Sequence, residues 1–410
     1  MKSQTRAHQG LISVFAIIAC AACEATTADT PPIGAVANLS SPATGSAGEP
    51  NLLSAPDGSV YVSWIELQPD STHALRFAVL QGNELSSART IASGSDWFVN
   101  WADFPMLARL DDGSLAAHWL QRSGPGKYSY DVMMTTSTDG GNTWSTAVKP
   151  HRDATESEHG FVSLFALGDR FGAVWLDGRK HAMKKSESED GEMTVRYTTL
   201  ARDGTLGDEI EVDGRACDCC QTAVANTSDG AVLVYRDRSA DEIRDIYAAR
   251  LVNGAWTAGA PVHADNWKVN YCPVNGPAVA ANERSVAVAW FTAADSVPQV
   301  KLAFSADAGA RFGVPVRVDD GNPAGRVDVQ LLDNGDALVS WLERVRGQAE
   351  LRVRRIDSKG KRGPAATVAQ GSAERASGFP HIAISGDHVV FAWTEPGKPA
   401  KLRVATAPLQ

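Results

Sequence analysis

Four cysteines carry the sharpest chemistry in this chain: Cys217, Cys219 and Cys220 in one four-residue run, and Cys272 further on. On an extended segment residues two apart share a side, so Cys217 and Cys219 point together and Cys220 points away. Three thiolates with an imidazole such as His159 nearby would suit a soft or borderline ion, copper or zinc. The competing chemistry is two disulfides, since exported chains meet oxidant and four cysteines can pair twice. Two bridges springing from one four-residue run demand awkward geometry, however.

Other groups of useful type gather in short polar segments. Trp97, Phe98, Asn100, Trp101 and Asp103 make a loop richer in rings than a connector needs. Arg215, Arg236, Arg238, Arg326 and Arg375 could bind an anion, although Arg236 to Asp245 also reads as a self-satisfied surface network. Tyr128, Tyr130 and Tyr271 are candidate nucleophiles, and Asn275 a candidate ligand contact. Acidic residues recur two positions past a large aromatic, at Glu66, Asp177, Asp237, Glu343 and Glu395. Solvated strand ends are the plain alternative for each of them. His118, adjacent to Trp119, reads as a strand residue, and the loop 178–192 as a solvated insertion.

Those aromatics reveal the elements that must position the chemistry. Trp64, Trp119, Trp175, Tyr235, Trp290, Trp341 and Trp393 stand 51 to 60 residues apart, each ending an alternating apolar run. A second alternating strand follows each, at 75–80, 131–136, 194–200, 246–251, 299–305, 350–356 and 401–406. A period of this size with all-strand content predicts a seven-bladed β-propeller with four strands per blade, here called A to D from the axis outward. Strand B of the first repeat places Val60, Val62 and Trp64 on one face. The last repeat lacks a fourth strand, and the apolar stretch 33–39 is spare. It is expected to supply the missing outer strand and close the ring.

Composition agrees with one all-β domain at 33–410. Hydrophobic residues make up 43% of the chain, with 36 Gly and 20 Pro to serve many tight turns. A net charge of −9 argues against nucleic acid, which needs a basic stripe. At the N-terminus, Lys2 and Arg6 precede the apolar run 11–19, which reads as a secretory signal over 1–23 with a tether at 24–32. Ile17-Ile18-Ala19-Cys20 resembles the lipobox of bacterial lipoproteins, with Cys23 the alternative acylation site. The expectation is a chain in the bacterial cell envelope, on its periplasmic side or outer surface, touching the membrane through an N-terminal lipid only.

The turns between the third and fourth strands add a resemblance. Ser137-Thr138-Asp139-Gly140-Gly141-Asn142-Thr143-Trp144 matches the Asp-box, and 305–312 is a weaker copy. Asp203-Gly204, 253–256 and 357–360 are degenerate versions in register. The chain therefore resembles the sialidase superfamily of Asp-box (BNR repeat) propellers from about residue 33 onward. The resemblance implies a functional face opposite the Asp-boxes, with six blades as the alternative count. It also implies a hydrolytic set of Asp103, Glu66, Tyr271 and Arg326, if the chain is an exo-α-sialidase-like glycoside hydrolase. Family sialidases carry Arg-Ile-Pro at the first inner strand, where this chain has Gly48-Glu49-Pro50.

On the face opposite the Asp-boxes, the segments 96–105, 156–160, 215–220, 270–275, 325–328 and 375–380 would converge. The reading is an envelope propeller that binds a small molecule, a glycan or a soft metal ion. Its metal ligands are Cys217, Cys219, Cys220, Cys272 and His159. Its other ligand contacts are Trp97, Asn100, Trp101, Asp177, Arg215, Asp237, Asn275 and Arg375. A hydrolase, or a scaffold that docks a protein partner with its cysteines bridged, are the alternatives.

Overall fold

The computed structural model describes Met1 and residues 30–182 and 191–410. Apart from Met1, the expected leader with Cys20 and Cys23 lies outside the described residues, as do residues 24–29 of the tether and the middle of the loop 178–192. Among the described residues no helix is long and apolar enough to cross a membrane.

Seven separate antiparallel sheets follow one another along the chain, so the ring has seven blades rather than six. They occupy 46–94, 107–137, 159–216, 223–261, 278–317, 323–371 and 381–408. Each B strand is buried on both faces, as Val60–Leu67 illustrates. Val60, Val62 and Trp64 pack on Val390, Leu402 and Val404 of blade seven, whereas Tyr61 packs with Leu107 and Leu115 of blade two. Alternation thus gives each strand one face per neighbour, and the stacked blades share a continuous core. Burying a ring such as Trp64 contributes roughly 1.5–3 kcal/mol.

The seventh blade is closed as the spare N-terminal stretch suggests. Ala37–Leu39 lies antiparallel to Lys401–Pro408, pairing Ala37 with Thr406 and Leu39 with Val404. Blade two departs from the four-strand pattern: its outermost contact is one bridge between Met134 and Val148.

Antiparallel strands reverse direction at each turn, so A–B and C–D turns share one rim and B–C and D–A segments share the other. On the first rim, Asp139 closes the turn 137–144 by accepting from the amides of Asn142 and Thr143 and from the Thr143 hydroxyl. Gly141 takes φ +86° there, a conformation open to glycine, and its bare Cα lies against Phe77 of blade one. Asp307 closes the turn of blade five in the same way, accepting from Ser305 and Arg311. All the candidate chemistry therefore sits on the opposite rim.

Candidate functional site

The D–A segment between blades three and four carries three of the four thiols. Cys217 leaves the last strand of blade three, and its amide donates to the Arg236 carbonyl of blade four at 2.9 Å, which fixes the start of the run. The Cys217 Sγ lies 3.6 Å from that of Cys220 and 3.9 Å from that of Cys219. The three sulfurs all lie within 4.8 Å of one another. Cys272 comes from the following blade and lies beside Cys219. Burial falls in steps: Cys217 and Cys220 are 1% exposed, Cys219 is half-buried and Cys272 is exposed. None of the four is in a disulfide.

Two guanidinium groups set the charge of this cluster. Arg244, almost fully buried, donates from Nη1 to Cys217 Sγ at 3.3 Å and from Nη2 to Glu242 at 2.8 Å. Arg236 is buried too, and it bonds the carbonyls of Arg244, Asn275 and Phe291 without a carboxylate. The expected surface network is therefore partly an interior one. Hydrogen bonds from Cys219 and Cys220, helped by both arginines, hold the Cys217 thiol well below its ordinary range, while Cys219 is pushed up. One thiolate and its protonated neighbours share the site. Asp218, between Cys217 and Cys219, is pushed up by burial and by the Cys217 charge.

His159 does not join the thiols. Its Nδ1 faces the carbonyls of Tyr130 and Ser157 at 3.1 and 3.2 Å, and its Nε2 faces Asp153 at 3.2 Å and Asp177 at 3.6 Å. Both nitrogens face acceptors, which favours the protonated ring, although His159 with Asp153 and Asp177, or with Asp131 and His151, also forms a group compact enough for an ion. Burial alone would lower its pKa, but the Asp153 hydrogen bond and the Asp177 charge raise it. His151 stacks on it at 3.7 Å and bonds Asp153 at 2.9 Å. Arg179 completes the network on Asp177 at 2.6 Å.

Three of the five acidic residues past the large aromatics have a shared explanation. Residues i and i+2 of a strand share a face, so Glu66, Asp177 and Glu343 lie beside the indole of their own strand. Trp64 Nε1 donates to Glu66 at 3.0 Å, Trp175 to Asp177 at 2.8 Å and Trp341 to Glu343 at 2.6 Å. Glu66 also accepts from Thr44 and Gly45, and Asp177 from Arg179. Both carboxylates are buried and engaged by partners of their own blades, one and three.

Several other expected contacts are likewise spent. Arg326 gives three of its five N–H donors to the carbonyls of Ala373, Glu374 and Gly378 and stacks over Trp101 at 5.0 Å, so most of its guanidinium is engaged inside the fold. Trp101 lies on Phe379, and Trp97 on Trp119. Asn275 caps the Arg326 amide, and Asn100 closes its own turn on Ala102. Tyr271 is 62% exposed and Arg375 is exposed, while Arg215 pairs with Glu192. Asp237 is raised to about 7 by burial and by Asp213. Among the described residues no hydrogen bond or ion pair joins any two of Asp103, Glu66, Tyr271 and Arg326.

A different acidic group does form. Glu158 is half-buried and accepts from Tyr130 Oη at 2.7 Å; burial raises it to about 7. Asp103, buried and bonded to the Phe161 amide at 2.8 Å, is also raised to about 7, by burial and by Glu158. Tyr130 itself is fully buried, its ring stacked on Phe98 at 4.0 Å. Tyr130 and the 156–160 segment were both visible in the sequence; the pairing of Tyr130 with Glu158 was not.

No protein-family model and no curated protein matches the chain. Among solved structures it resembles a protein of unknown function from Dyadobacter fermentans, with TM-score 0.54 and 14% identity over 93% of this chain and all of that one. It also resembles the α-L-arabinanase of Penicillium chrysogenum complexed with arabinobiose, with TM-score 0.50 and 13% identity over 92% of this chain and 99% of that one. The NanB sialidase of Streptococcus pneumoniae follows at TM-score 0.47 and 9% identity, covering 93% of each chain. At these identities the likeness is one of fold.

Proposed function

We propose that the chain is an envelope propeller, lipid-anchored through Cys20 or Cys23, that holds one soft metal ion, copper(I) or zinc(II), through Cys217, Cys219 and Cys220. The observation that carries this is the sulfur spacing. An ion bound to thiolates at about 2.3 Å separates neighbouring sulfurs by about 3.8–4.0 Å. A disulfide would bring them to about 2.05 Å. The separations of 3.6 and 3.9 Å from Cys217 lie close to the ion-centred spacing and far from that of a disulfide. The activated thiolate is also the buried one, which suits a ligand and not a thiol that must attack an outside partner. Thiol counting and elemental analysis on non-reduced protein test the reading. One ion per chain, with Cys217, Cys219 and Cys220 shielded from alkylation, is expected. Four oxidised cysteines without metal would refute it and favour the docking scaffold.

A second reading, glycoside hydrolysis, draws on Glu158 and Asp103. A carboxylic acid that stays protonated near neutral pH is what the general acid of such a reaction requires. The acid pair supports this; the sealed Tyr130 speaks against the expected tyrosine nucleophile. Assays on fluorogenic sialosides and arabinosides decide it. Turnover abolished by Glu158→Gln but retained in Cys217→Ser would support hydrolysis, and no turnover on either class would end it.

A further inference from the structure

We infer that the four thiols divide their labour, with Cys272 receiving the ion from solvent and the trio Cys217, Cys219 and Cys220 retaining it. The inference rests on the metal reading above. Cys272 stands outside the group of three mutually close sulfurs. Its neighbour in that group is Cys219. Exposure then falls along the line from Cys272 through half-buried Cys219 to Cys217 and Cys220 at 1%. An ion approaching from water meets the sulfurs in that order.

The Cys272 loop is built to stay in place. Val274 holds φ 48°, a left-handed conformation that a β-branched residue adopts only under constraint. Asn275 supplies that constraint, since it is buried and accepts from the Arg326 amide at 2.8 Å. Cys272 is thus an exposed thiol on a fixed loop.

The transfer balances without any oxidant. A bond from the ion to its carrier breaks as a bond to Cys272 Sγ forms, and the thiol proton passes to water. A second exchange moves the ion to Cys219 and Cys220, whose protons leave, and to the Cys217 thiolate, as Cys272 takes one proton back. Copper stays monovalent throughout.

The probe is copper(I) supplied as its bicinchoninate complex to full-length reduced protein, with the fading of the complex followed in a stopped-flow instrument. Wild-type protein is expected to take up one equivalent. Cys272→Ser should take up the same equivalent with affinity changed by less than about threefold, but load roughly tenfold more slowly. Cys217→Ser should retain no tightly held ion. Loss of the ion from Cys272→Ser would make Cys272 a resident ligand and overturn the inference, as would loading at the wild-type rate. If wild-type protein takes up neither copper(I) nor, by competition with a chromophoric chelator, zinc(II), the metal reading itself fails.

Discussion

His159 decides how the residues of the upper rim divide their roles. It is completely buried between two carboxylates, Asp153 and Asp177, with its stacked neighbour His151 on the same Asp153. A histidine whose folded pKa lies above its unfolded value of about 6.5 stabilises the fold fully below that value, and the benefit fades as pH rises past the folded pKa. His151 has the opposite sign, since burial lowers its pKa, and it resists protonation in acid. Asp153 and Asp177 are depressed despite burial, because histidine and Arg179 bond them, so their share is lost only in strong acid. Removing His159 alone should therefore cost most at mildly acid pH. Urea unfolding of His159→Gln is expected to show a loss of about 3–5 kcal/mol near pH 6, shrinking by pH 9. An equal penalty at both pH values would show that the ring is neutral when folded, and His159 would return as a candidate ligand.

At the scale of elements, the sequence made the ring legible because each blade must repeat one solution to the same burial problem. The seven aromatics, the paired strands and the Asp139 turn all follow from local alternation and turn chemistry, and the structure places them where the period puts them. The thiol trio was legible for the same reason, because three ligands from four residues need no tertiary information. His159 was not. Its strand has a bulge between Gly160 and Ser163, with Phe161 at φ 52°, so alternation cannot be counted through its first residues. Arg236 and Arg244 were misjudged because charged residues close in sequence look solvated, although blade five packs over them. The pairing of Glu66, Asp177 and Glu343 with their tryptophans was within reach, since a carboxylate two residues past an indole in a strand must share its face. What spacing could not supply was the order of burial from Cys272 inward, which depends on where neighbouring blades put their loops.

For the whole molecule, the ring is only as strong as its closure. Every other blade is continuous in sequence, but blade seven joins the two ends of the described chain through Ala37–Leu39. Beside that strand, Ile33 is 4% exposed and packs among residues of blades six and seven, and the Gly34 amide donates to the Pro408 carbonyl at 2.8 Å. Burying Ile33 and forming a few ladder bonds contribute roughly 5 kcal/mol together. Without them Lys401–Pro408 becomes an open edge, its amides free to pair with another chain. A chain lacking residues 1–40 is expected to melt at lower temperature and to self-associate in sedimentation velocity. Ile33→Ala, which keeps the ladder, should lose about 2–5 kcal/mol and remain monomeric. The contrast separates packing from pairing: association should appear only where the edge is bared. A truncated chain that stays monomeric with an unchanged melting temperature would mean the ring closes without its N-terminal strand. The upper rim would then owe its geometry to blade packing alone.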